Sequence, residues 1–143
     1  MQQLNVTVAD HLALNYRPDI RILIARWRRS VSLVELQEGY YRLADEAERH
    51  AATRWLLDVR QLTVSAEAGS WVGEVFYPLL VARFGRPLHL AYLVPPESRR
   101  LLRTDAEMAA LLAEFEQSQE QGCHFYLFDQ EGDAYGWLEA AAR

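Results

Sequence analysis

The sequence predicts an α/β fold with a mixed sheet of about five strands and four main helices, built as one domain over residues 1–143. Three observations carry this. Two β-rich runs flank Arg17-Pro18-Asp19, a hairpin signature. The stretch from Arg54 to Trp71 passes from a leucine-rich run through a polar turn into a long apolar helical pattern, the mark of a βα unit. Helix-start signals then recur between extended runs, and such alternation requires largely parallel strands with crossover helices.

Taken in order, the hairpin strands are His11 to Tyr16 and Ile20 to Trp27, with a further short strand over Leu4 to Val8. Ser32-Leu33-Val34-Glu35 is a capping box. It opens a helix whose stripe is Leu33, Leu36, Tyr40, Leu43, Ala44, Ala47 and Ala51, with Glu38, Arg42, Asp45, Glu46 and Arg49 facing water. The central strand Arg54 to Arg60 follows. Ser65 is the natural N-cap of the second helix, which ends at Gly85 before Pro87. After the strand Leu88 to Val94 and an arginine-rich loop, Thr104-Asp105-Ala106-Glu107 forms a second capping box; its helix carries Met108, Leu111, Leu112 and Phe115 and stops at Gly122. The last strand is Cys123 to Phe128, and Asp133 caps a short helix that buries Trp137, Leu138 and Ala141.

Composition narrows the function. Half of the residues are hydrophobic and the net charge is −5, a globular balance without the net basic face that nucleic-acid binding uses. The single Cys123 cannot form an internal disulfide, and the N-terminal residues lack a basic segment followed by an apolar core. A cytoplasmic setting is expected, with no cofactor and no metal. The histidines His11, His50, His89 and His124 stand at no ligand spacing. A nucleophilic pair of Cys123 with His89 or His124 would lie at the strand starts, opposite the edge where parallel sheets place their sites. Asp58, an acid within a strand, calls for an ion-pair partner in Arg60 or Arg26.

Three stretches resemble the STAS and SpoIIAA-like superfamily, the fold of anti-sigma-factor antagonists and their relatives. They are Leu23-Ile24-Ala25-Arg26-Trp27, Trp55-Leu56-Leu57-Asp58-Val59-Arg60, and Phe125-Tyr126-Leu127-Phe128-Asp129 through Ala134-Tyr135-Gly136-Trp137-Leu138. The resemblance implies a SpoIIAA-like sheet and a regulatory module acting through protein–protein contact. It departs at the strand-to-helix junction, where the antagonists carry Asp-Ser-Ser-Gly and are switched by serine phosphorylation. Here the junction reads Val64-Ser65-Ala66-Glu67. The Ser65 oxygen serves as a cap, and Glu67 would repel a phosphate.

Two surfaces remain as candidates. Arg26, Arg28, Arg29, Arg60, Arg99, Arg100 and Arg103 all lie at or beyond strand carboxyl ends; with the amides of the helix that starts at Ser65, they form a rim suited to an anion or an acidic partner segment. The second helix is apolar all round: Trp71, Val72, Val75, Phe76, Leu79 and Leu80 face the core, leaving Gly73, Tyr77, Val81 and Phe84 for a partner. Length, Glu74 and Pro78 rule out a membrane span. The expected function is therefore a non-catalytic binding or regulatory module, a homodimer through the second helix. The alternative is an anionic-ligand or lipid carrier, or an enzyme acting on a carboxylate or phosphate, using the arginine rim.

Overall fold

A computed structural model describes residues 4–62, 65–97 and 122–141, with side chains from residue 10 onward. These residues form a mixed sheet of six strands: β1 (Leu4–Ala9), β2 (Leu12–Arg17), β3 (Ile22–Trp27), β4 (Arg54–Asp58), β5 (Leu88–Leu93) and β6 (Cys123–Phe128), ordered 1-2-3-4-5-6. The first two pairings are antiparallel and β3 to β6 run parallel. The short N-terminal run thus pairs as a full edge strand. Arg17 turns the hairpin, its carbonyl accepting the Arg21 N–H at 2.7 Å, while Arg21 adopts φ 56°. Pro18 supplies the fixed φ that starts this turn.

Helix α1 (Leu33–Arg49) begins at the expected box: Ser32 Oγ accepts from Glu35 N at 3.2 Å, and the Glu35 carboxylate accepts from Ser32 N at 3.0 Å. It is followed by α2 (Ala66–Trp71), a π-helical turn (Val72–Phe76) and α3 (Tyr77–Phe84), a run closed by Gly85 at φ 66°. The last helix is α4 (Glu131–Ala140). The sheet is covered on both faces because its strands bury alternate residues on each side. Trp55, Leu57, Leu88, Leu90 and Phe125 meet α1 and the α2–α3 run in the larger core; Ile22, Ile24, Leu56, Ala91 and Leu93 meet Ala134 and Leu138 of α4.

The second helix keeps Val72, Phe76 and Leu80 in the core as expected but departs from the expected faces at the other positions. Gly73 and Tyr77 are buried, Val81 and Phe84 pack half-buried against the core, and Val75 and Leu79 are exposed. The cause is the π turn, in which the Tyr77 N–H reaches back to the Val72 carbonyl. One extra residue in the turn rotates everything downstream by about 100°. The bulge falls just before Pro78, which has no N–H to continue an α ladder. Buried positions accordingly recur every four residues, at Ala68-Gly69, Val72-Gly73, Phe76-Tyr77 and Leu80.

Smaller differences also have causes. Glu46 is buried rather than solvated, beside Arg49 at 3.1 Å and His50 at 3.5 Å. Ala51 lies past the helix end at φ 51° and is exposed. Gln130, not Asp133, is the N-cap of α4, because Glu131 starts the helix over the sheet edge in contact with Arg26. Ala141 is only half-buried there. The helix expected from Thr104 lies outside the described residues.

Candidate functional site

The carboxyl ends of β3 and β4 converge on one carboxylate. Asp58, 6 % exposed, accepts from Arg60 Nε at 2.9 Å, Arg60 Nη2 at 2.8 Å, the Arg60 backbone N–H at 3.2 Å and Arg26 Nη1 at 2.9 Å. Arg26 Nη1 also donates to Glu131 Oε1 at 2.8 Å, tying the start of α4 to the same cluster. Register explains the meeting: Arg26 and Asp58 are cross-strand neighbours on the α4 face. Burial works to raise the Asp58 carboxyl, but its bonds from Arg60 and Arg26 outweigh this and hold it below the usual value. Two guanidinium groups and two carboxylates cancel, so the expected ion pair is present and two of the seven proposed rim arginines are neutralised.

Among the described residues, the other rim members do not gather around this carboxylate. Arg28 is exposed, and Arg29 turns to Glu35 at 2.9 Å and Asp10 at 3.2 Å. Ser65 Oγ accepts from Ala68 N at 3.1 Å, the cap expected of it. Arg99, Arg100 and Arg103 lie outside the described residues. An anion bound through Arg26 or Arg60 would compete with Asp58 and Glu131 for them. The strand order is monotonic and both described crossovers share one face, so between them there is no switch point of the kind at which open sheets form a ligand crevice.

The amino ends of the strands carry a different row. Arg54, His89 and His124 are register partners on β4, β5 and β6. The two imidazoles stack with centroids 5.0 Å apart at 26°, and Trp137 of α4 meets His89 edge-on at 5.6 Å. Arg54 donates to the carbonyls of Leu138 at 3.1 Å and Ile20 at 2.5 Å, supplying the cation that the last turn of α4 lacks. Cys123 points to the opposite face, where burial pushes its thiol up to about 12. It is neutral at physiological pH, and a Cys-His nucleophile is not formed. His11 stacks on Trp27 and His50 on Tyr16, at 6.0 and 4.3 Å. Among the described residues no group of three or more His, Cys, Asp or Glu is arranged to hold a metal ion.

Beneath the α2–α3 run, Tyr77 Oη lies 2.5 Å from Tyr92 Oη, and Tyr40 joins the same buried group. Burial holds all three phenols above their usual range, Tyr40 at about 12. Tyr77 is thus a core residue with an internal polar partner. The outward side of this run presents Glu74, Val75, Pro78, Leu79, Ala82 and Arg83, with exposed Tyr41 on α1 next to Trp71 at 5.8 Å. Arg83 bridges to Asp45 at 2.8 Å and to Glu48, binding α3 to α1. Among the described residues no helix is long and apolar enough to cross a membrane. No protein-family model matches this chain, and neither does any curated protein.

Proposed function

We propose that this chain is a SpoIIAA-like regulatory module that acts by binding protein, with a second copy of itself as the partner at the outward side of the α2–α3 run. The architecture that supports the likeness is an opening hairpin, then alternating helices and parallel strands, with both described crossovers on one face and the terminal helix on the other. The observation that carries the binding reading is the exposure of Val75 and Leu79, 46 % and 38 %, beside Tyr41 at 42 %. Exposed apolar side chains grouped on one surface mark interaction sites. The Arg83, Asp45 and Glu48 bridges give this patch a polar border, the anatomy of a small interface. A twofold contact is the commonest closed arrangement and uses one patch twice.

Sedimentation velocity over a concentration series tests this. The wild type should show a monomer–dimer equilibrium, and Val75→Glu with Leu79→Glu should leave a folded monomer. A wild type that stays monomeric at the highest concentration sinks the homodimer. The carrier or enzyme alternative asks that arginines be free for a ligand, whereas Arg26 and Arg60 are held by Asp58 and Glu131.

A further inference from the structure

The α4 face of the sheet is built in cross-strand rows, and the two outer rows are opposites. At the carboxyl end Arg26, Asp58, Leu93 and Phe128 form a row whose charges are matched. The middle row, Ile24, Leu56, Ala91 and Tyr126, carries no charge. At the amino end Arg54, His89 and His124 stand side by side with one fixed cation and two titratable neighbours. Like charges directly opposite one another across a sheet are destabilising.

From this register we propose that the Arg54, His89 and His124 row is an acid-sensitive latch on α4: the helix is docked while the His89 ring is neutral and is loosened when that ring takes up a proton. This goes beyond the proposed dimer, which uses the other face of the sheet. Neutral rings can stack at 5.0 Å and present His89 to the Trp137 edge. An imidazolium at His89 is repelled by the Arg54 cation directly opposite it. Arg54 cannot turn away freely, because it anchors the end of α4 through Leu138 O and the hairpin through Ile20 O.

Among the described residues, the groups facing the row supply no nearby acid. On α4, Trp137 and Leu138 lie over it, Asp133 and Glu139 are exposed, and Glu131 is occupied by Arg26 at the far end. Behind the sheet Cys123 stays protonated. The carbonyls at the end of α4 are the counterweight, since they favour a cation, and Arg54 already occupies that of Leu138. Burial, then His124 and Arg54, hold His89 below the usual histidine value. A histidine whose folded pKa is depressed contributes stability that is complete above its unfolded pKa, about 6.5, and is lost as pH falls below it.

Amide hydrogen exchange of the full chain, corrected for intrinsic rates, reads the latch element by element between pH 7.5 and 5.5, a range chosen to bracket histidine. Protection of α4 should fall roughly threefold to tenfold across this range, while α1, whose His50 lies at its own end, keeps its protection. His89→Gln with His124→Gln should make α4 insensitive to pH, and His124→Phe alone should reduce the response while keeping a stacked ring. The proposal is overturned if α4 protection in the wild type is flat, if it falls equally in the double variant, or if α1 opens in parallel. Should the double variant fail to fold, His124→Phe decides: an undiminished response there also overturns it.

Discussion

Gly39 shows how a single side chain constrains this fold. A Cβ at this position would collide with Trp27 Cη2 and lie 3.1 Å from Leu12 Cδ2, because the indole is seated directly on α1. Gly39→Ala should cost about 1–3 kcal/mol in urea unfolding, the range of overpacked cores; an unchanged midpoint would show that Trp27 can move. Asp58 is the second such residue. Asp58→Asn removes the charge that Arg26 and Arg60 share and should cost about 2 kcal/mol, less than a fully buried pair because both guanidinium groups keep contact with water. The same carboxylate sets an acid limit. Its folded pKa is depressed, so its contribution is present above the usual aspartate value and is lost as pH falls through the lowered one. Wild type and Asp58→Asn should therefore converge in stability in acid, once pH falls through the lowered Asp58 value; a constant difference would assign the effect to packing. Asp58 was legible as a paired acid because a carboxylate within a strand demands a cation. Gly39 was not, since nothing local to α1 announces that Trp27 crosses there.

At the scale of elements, α1 was readable from its capping box and stripe, and so were the ends of the second helix at Ser65 and Gly85. The orientation of that helix was not. A period of 3.6 places Val75 and Leu79 inward, whereas the π turn gives the run an effective period of four, which brings Tyr77 inward and turns Val75 and Leu79 out. A signal existed in the paired apolar residues repeating every four positions from Ala68-Gly69 to Leu80-Val81, with Pro78 just after the irregularity. The corrected orientation makes a contrast that mutation can read. Tyr77→Glu should lose more than about 4 kcal/mol, for it buries a carboxylate against Tyr92 and Phe125. Val75→Glu and Leu79→Glu should each stay within about 0.5 kcal/mol in the dilute monomer. Chemical denaturation of the three variants checks both halves, and equal losses would mean the helix is not oriented as described.

For the whole molecule, the α/β class and the order of the described elements could be read from alternation, because strands and helices carry their own start and stop residues. What charges do could not, since pairing is a matter of register across the sheet. All fifteen basic residues are arginines, and a concentration of them near strand ends reads from sequence as an open rim. The fold instead gives Arg26 and Arg60 to Asp58 and Glu131, and Arg54 to carbonyls of the chain itself. Arginine's planar fork suits such multiple bonds better than a lysine point charge. Among the described residues, the carboxyl ends of β3 and β4 are thus closed by matched charge, while Val75 and Leu79 leave apolar surface on the outward side of the α2–α3 run. That surface is the proposed site of self-association. Spin labels test it directly: Val75→Cys on the outward patch and Glu139→Cys on α4, with the buried Cys123 thiol protected from labelling by its burial and raised pKa. Pulsed dipolar spectroscopy at high protein concentration should show a short intermolecular distance for the label at position 75 and none at position 139. No coupling at position 75, or coupling at position 139 instead, would contradict it.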